Sequence, residues 1–372
     1  MKAWLKKMLA VSLMGIVALP IGAVFYLQQP KFGKAPEGVR LQRIEESPNY
    51  IDGQFQNLVA TPQIVGETRS STLMKFFFSQ KERPAPIDSI PTVKTDLKAL
   101  DKNKDIVIWL GHSSYFIQFG GKRILIDPVF SSSAAPVDFA NRAFAGTSLY
   151  KAEDIPEIDY LLISHDHWDH LDYPTVMALK PKIKNVICGL GVGGYFDQWS
   201  FDKDIIHESD WYDSLEMDKD FIVHVLPARH FSGRLLSPNK TLWTSFALEI
   251  QNKRIFYSGD GGYGPHFKKI REMFNGFDLV IMENGQYDKS WPYIHMMPEE
   301  VALAADELNA EALLPGHSGK FSIANHAWDE PFKRITEASK DKHYRLLTPI
   351  IGEPVEFENR EQKFSQWWEG LR

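Results

Sequence analysis

Nine residues, Ser164 to Asp172 (SHDHWDHLD), hold three histidines and three aspartates. The two-residue step between His165 and His167 puts both on the same side of an extended segment, where two imidazoles can grip one ion. Asp169 and His170 fall in the turn that follows. Imidazole and carboxylate donors without thiolate suit zinc or another first-row divalent ion in a hydrolytic site. A set of satisfied polar loop residues is the bland alternative, but so many ionisable groups rarely gather without a metal or a function.

Such a cluster needs rigid elements behind it, and four apolar runs end in loops that carry histidine or aspartate. DYLLIS leads to His165, His167, Asp169 and His170; FIVHVLPAR leads to His230; RIFYSG leads to Asp260; EALLPG leads to His317. Loops at one end of a sheet converge in space although they are far apart in sequence. From Asp105 onward, further short runs read as strands: DIVIWL, SYFIQF, KRILID, NVICGL, SFALEI and DLVIME. Gly120-Gly121 between SYFIQF and KRILID reads as a tight hairpin. PHFKKIREMF and PEEVALAADELN read as helices, the second with Pro298 at its first position and acids in its first turn. Strands mixed with helices predict an α/β domain with helices covering packed sheets.

Composition narrows the chemistry. With 44% hydrophobic and 24% charged residues over 372 positions, the chain can bury a full core. A formal charge of -6 provides no field for a polyanion, so no nucleic-acid partner is expected. The one cysteine, Cys188, lies in an apolar run and excludes both an internal disulfide and a thiolate-rich metal site.

At the N-terminus, Met8 to Leu27 is twenty residues without a charge, preceded by Lys2, Lys6 and Lys7. That length in a helix matches a bilayer core of roughly 30 Å. It predicts an N-terminal transmembrane anchor, with a cleaved signal helix as the rival. The lysines ahead of it place the rest of the chain on the non-cytoplasmic side, periplasmic or extracellular. The expected organisation is a membrane anchor or signal segment over 1–30, an extended approach over 31–104 and a catalytic domain over 105–372. Within the approach, Leu73 to Arg83 (LMKFFFSQKER) reads as a short packed helix or as a membrane-surface segment.

The H-x-H-x-D-H motif, followed by separated His, Asp and His at strand ends, resembles the metallo-β-lactamase superfamily. That resemblance implies an αββα sandwich with two metal ions, taken as Zn2+ with another first-row divalent ion as the alternative. By position, His165, His167 and His230 resemble the ligands of the first ion. Asp169, His170 and His317 resemble those of the second, and Asp260 resembles the carboxylate bridging both. Within the superfamily, five stretches in order resemble the family of N-acylphosphatidylethanolamine-hydrolysing phospholipase D: WLGHSSYFIQFGGKRILIDPVFS, PARHFSGR, SGDGGYGPHF, HMMPEE and LLPGHSGKF.

The resemblance implies a phosphoric diester hydrolase in which a hydroxide between two metals attacks phosphorus. A membrane phospholipid would be split to N-acylethanolamine and phosphatidic acid. Asp169 and His295 are expected in catalysis, His295 as a contact to the phosphate or leaving group beside the helix opened by Pro298. His112 is expected near the site, or as a structural residue. Tyr287, Trp291 and Tyr293 read as packing or as the wall of an acyl cavity. Asp166 and Asp172 read as support for the turn, and Trp168 as packing. His207, His224, His266, His326 and His343 read as ordinary histidines. A lactonase or β-lactam hydrolase is the enzyme alternative, and a non-catalytic metal-binding envelope protein is the alternative of another class.

Overall fold

The computed structural model describes residues 4, 20–66, 68, 70–72, 74, 81–234 and 238–372. Two seven-stranded sheets face each other. The first runs, edge to edge, through Pro354–Glu356, Ile106–Gly111, Ser114–Phe119, Lys122–Ile126, Ile158–Ile163, Ile183–Gly189 and Ile206–Ser209. The second runs through Arg345–Leu346, Ala312–Gly316, Leu279–Glu283, Lys253–Tyr257, Thr244–Ile250, Phe221–Pro227 and Ser214–Asp218. Each sheet joins an antiparallel half to a parallel half.

Both faces of each sheet are covered, so the strands read as unbroken apolar runs rather than as alternating ones. Side chains still alternate. Val107 and Trp109 point into the core between the sheets, while Ile108 and Leu110 point outward to Val176 and Leu179 of the helix Tyr173–Leu179 and to Phe196 of Gly193–Gln198. In the second sheet Leu279 and Ile281 face inward. Val280 and Met282 face Ile270 of the helix His266–Phe274, Val301 of Pro298–Glu307 and Ile335 of Glu330–Ala338. The layers are therefore helix, sheet, sheet, helix. The Gly120-Gly121 hairpin forms as expected: Phe119 pairs with Lys122, and both glycines take positive φ (54° and 76°), which the turn requires.

Most of the apolar stretch Met8 to Leu27 lies outside the described residues, as does most of Leu73 to Arg83; residues 20–27 are helical. Among the described residues, no helix is long and apolar enough to cross a membrane. The chain then packs on the domain. Helix Gly38–Glu45 inserts Ile44 beside Phe55, Trp211, Leu242 and Trp243. Its Arg40 pairs with Asp197 at 2.5 Å and Glu208 at 2.7 Å.

Candidate metal centre

The strands Ile106–Gly111, Lys122–Ile126 and Ile158–Ile163 run in one direction, as do Phe221–Pro227, Lys253–Tyr257, Leu279–Glu283 and Ala312–Gly316. Their C-terminal ends open into the loops that carry the site. After Ile163 the chain turns, with the N–H groups of His170 and Leu171 both donating to the His167 carbonyl, and then enters the helix at Tyr173.

All seven residues expected to hold metal come together. His165 Nε2 lies 2.9 Å from His167 Nδ1, and His230 Nε2 lies 3.3 Å from the same atom. Asp169, His170 and His317 gather beside them, joined by His112, whose Nε2 is 2.9 Å from Asp169 Oδ2. Asp260 stands between the two groups. Its Oδ2 is 3.1 Å from His170 Nε2, 3.2 Å from His317 Nε2, 3.8 Å from His165 Nε2 and 3.9 Å from His230 Nε2. Asp260 Oδ1 and His170 Nε2 are buried without a hydrogen-bond partner. Buried polar atoms without partners are costly, and lone pairs converging on one point from nitrogen and carboxylate donors fit divalent cations.

Burial drives most of the electrostatics. It pushes His165, His230 and His317 well below the usual histidine range and His167 down to about 4, so these imidazoles offer lone pairs at neutral pH. Asp260 is raised to about 6 by the same burial. Burial also works against the Asp169 carboxylate, but His170 and His112 hold it well below its usual range. His170 is the exception among the imidazoles: Asp260, Asp169 and Asp127 outweigh its burial and raise it.

Four of the rings, those of His165, His170, His230 and His317, are oriented from their far side. His170 Nδ1 donates to Asp127 Oδ2 at 2.8 Å, and His230 Nδ1 donates to the Ile294 carbonyl at 2.8 Å. Because those oxygens accept, the proton sits on Nδ1 and Nε2 faces the cluster. Ser164 Oγ lies 3.0 Å from His165 Nδ1, and Ser113 Oγ lies 2.9 Å from His317 Nδ1. Such outer partners fix tautomer and ring angle in metal sites. Asp127 also accepts from Ser164 N–H, Ser164 Oγ and Tyr257 OH. Neither Asp127 nor Ser113 is singled out by sequence; the one available signal is an acid closing the run KRILID. His112, Asp127 and His317 take positive φ (54°, 41° and 57°), a conformation uncommon away from glycine that turns each residue at its strand end.

His295 reaches the cluster, its ring 5.0 Å from His230 and 5.1 Å from His317. Its Nδ1 donates to Glu283 Oε2 at 2.6 Å, and Met296 N–H donates to Glu283 Oε1. Asp166 supports the turn through Tyr195 OH and Gly233 N–H, and Asp172 through Ser131 and Thr175. Trp168 packs between Phe32 and the guanidinium of Arg234. Tyr287 bonds Glu330 and stacks on His326, Trp291 bonds the Gln286 carbonyl, and Tyr293 lies under Arg229. His207 pairs with Asn185, His224 with Ser214 and His343 with Asp306. His326 accepts from Gln286 N–H, and His266 stacks on Phe267.

Residues 122–318 match the family described as Beta-lactamase superfamily domain, a span that contains the whole cluster except His112. The chain belongs to the metallo-β-lactamase superfamily. An uncharacterized protein of Mycobacterium tuberculosis is 35% identical to this superfamily member over 87% of this chain and 88% of its own length. The N-acyl-phosphatidylethanolamine-hydrolyzing phospholipase D 1 of Caenorhabditis elegans is 29% identical over 68% of this chain and 76% of its own. The structure of Igni18, a metallo hydrolase of Ignicoccus hospitalis, shares the fold at 19% identity, with a TM-score of 0.54 over 68% of this chain and 99% of that one. Fold, family and clustered donors make this chain a metal-dependent hydrolase of the superfamily.

Proposed function

We propose that this hydrolase is a phosphodiesterase of the phospholipase D type, splitting N-acylphosphatidylethanolamine-like lipids into N-acylethanolamine and phosphatidic acid. The observation that carries this reading is Asp260 Oδ2, within 3.9 Å of four histidines drawn from three loops, a placement from which one carboxylate would serve two cations. The worm relative named for that lipid reaction supports the substrate class. His165, His167 and His230 would hold one ion, Asp169, His170 and His317 the other, with Asp260 between them and zinc as the expected metal. When bound, two such ions lower the pKa of a water and neutralise charge developing on phosphoryl oxygens.

The chain's own residues supply the rest. His112 and Asp127 fix Asp169 and His170, and the burial of His165, His230 and His317 keeps protons off their donor nitrogens. His295, steadied by Glu283, is placed to meet a phosphate or leaving-group oxygen at the edge of the cluster. No serine or cysteine nucleophile is called for. The uncharged run Met8 to Leu27 is assigned as a membrane anchor that holds the domain on the non-cytoplasmic side, near its lipid.

Incubating the full chain with a mixed lipid extract and analysing the products tests the reading. Release of N-acylethanolamine with matching phosphatidic acid, abolished in Asp169→Ala, is the expected result. Free fatty acid, or turnover of a lactone with no phosphodiester cleavage, would replace the proposal with an ester or lactone hydrolase.

A further inference from the structure

A segment outside the residues matched by the family reaches the metal centre. The N–H and carbonyl of His230 lie beyond the last ladder pair of their strand, Pro227 with Thr244, and need other partners. Asn57 supplies both. Its Nδ2 donates to the His230 carbonyl at 2.7 Å, and its Oδ1 accepts from the His230 N–H at 3.1 Å. The same Oδ1 accepts from Trp243 Nε1 at 3.1 Å, so the amide cannot turn over without losing all three bonds.

Arg229, next in the chain to His230, binds the following residues of the same segment. Its Nε donates to Thr61 Oγ1 at 3.0 Å and its Nη2 to the Ala60 carbonyl at 2.8 Å. Its Nη1 donates at 2.7 Å to the carbonyl of Tyr263, in the loop that carries Asp260. The guanidinium lies 4.4 Å from the ring of Tyr293, in the loop that carries His295. Val65 N–H then donates to the Ser290 carbonyl at 2.8 Å in that loop. Residues 57–65 are thus a strap that ties together the His230, Asp260 and His295 loops.

We propose that Asn57 is a positioning residue of the metal centre, setting the main chain of His230 so that its Nε2 meets the His165 and His167 pair. The ring is then fixed at two places, by Asn57 at its main chain and by the Ile294 carbonyl at Nδ1. Without the first, rotation about the loop would carry Nε2 away from the His165 and His167 pair while the other six donors stay in place. The inference rests on the metal reading of the cluster.

Zinc affinity of the metal-free full chain, measured by competition with a chromophoric chelator and paired with elemental counting, tests it. The wild type is expected to take two ions. Asn57→Ala should bind one of them about 10–100-fold more weakly, as loss of an outer partner does, and retain the other. Asn57→Asp, which keeps the acceptor and loses the donor, should shift the same ion and serves if the alanine variant does not fold. Asn49→Ala is the control: it removes a 2.9 Å bond to Asp210 ahead of the strap and touches no ligand loop, so affinity should not move. Two ions held equally by wild type and both Asn57 variants, or equal weakening in Asn49→Ala, would overturn the positioning role alone. A wild-type chain that binds no ion would overturn the metal reading and this inference with it.

Discussion

Replacing Asp127 by alanine should strike the centre from behind. The carboxylate is fully buried and takes four donors on two oxygens: Ser164 N–H at 2.8 Å, Ser164 Oγ at 2.5 Å, His170 Nδ1 at 2.8 Å and Tyr257 OH at 2.6 Å. The two hydroxyls can rotate to other acceptors. The Ser164 N–H cannot, and the His170 Nδ1–H keeps only a long 3.4 Å contact to Ser164 Oγ; a buried donor left unpaired costs about 1–3 kcal/mol. The expected loss is therefore roughly 2–6 kcal/mol, a large share of the 5–15 kcal/mol typical of a domain. Tyr257→Phe removes one rotatable donor and should cost only about 1 kcal/mol. Because His170 also loses the partner that fixes its tautomer, zinc affinity should fall about 10–100-fold in Asp127→Ala. Urea unfolding of the metal-free chain, followed by tryptophan fluorescence, gives the stability, and a chelator competition gives the affinity. An alanine variant within about 0.5 kcal/mol of the wild type, binding zinc equally well, would refute the reasoning.

Three further outcomes follow from particular residues. Asp260→Asn replaces the oxygen shared by four histidines with an amide, so both bound metal and hydrolysis should drop; full metal content in that variant would remove Asp260 from the bridging position. In the hairpin, Gly121→Ala meets open space but must hold φ near 76°, costing about 1–2 kcal/mol. Gly120→Ala adds a contact of 2.6 Å with Ile250 and should be the worse of the two in urea unfolding. Lys320 is buried, donates to the Val129 carbonyl, and is lowered by burial to about 8. Its folded value lies below its unfolded one, so between about pH 8 and 10 the unfolded chain binds more protons and stability should rise with pH, by about 2 kcal/mol from this group. Lys320→Met should lose that rise in unfolding experiments across the same window, and an unchanged slope would show that Lys320 titrates normally.

The chain's local pattern was enough for the strands and for most of the donor set. Runs such as DYLLIS and EALLP have one reading as buried strands, and they formed Ile158–Ile163 and Ala312–Gly316. The edge strands Ile206–Ser209, Arg345–Leu346 and Pro354–Glu356 carry no period in their two to four residues of mixed polarity, whereas Ser214–Asp218 alternates strictly but is only five residues long. His165, His167, Asp169 and His170 could be grouped from spacing alone, since six residues of backbone keep them together whatever the rest of the chain does. His230, Asp260 and His317 were legible as strand ends whose loops converge, and their assignment to particular ions came from resemblance.

What the sequence could not hold is the orientation of those groups. Whether an imidazole presents Nδ1, as His167 does, or Nε2, as His165 and His230 do, depends on the partner at its other nitrogen and on the path of the main chain. Those partners are remote: Asp127 lies 43 residues from His170, Ser113 lies 204 from His317, and Asn57 lies 173 from His230. A single polar residue at the end of a strand has no periodicity and no neighbouring motif to mark it. Only when the two sheets stack and the strap closes do its lone pairs meet a donor, because a hydrogen bond is decided over about 3 Å and sequence separation says nothing about that distance.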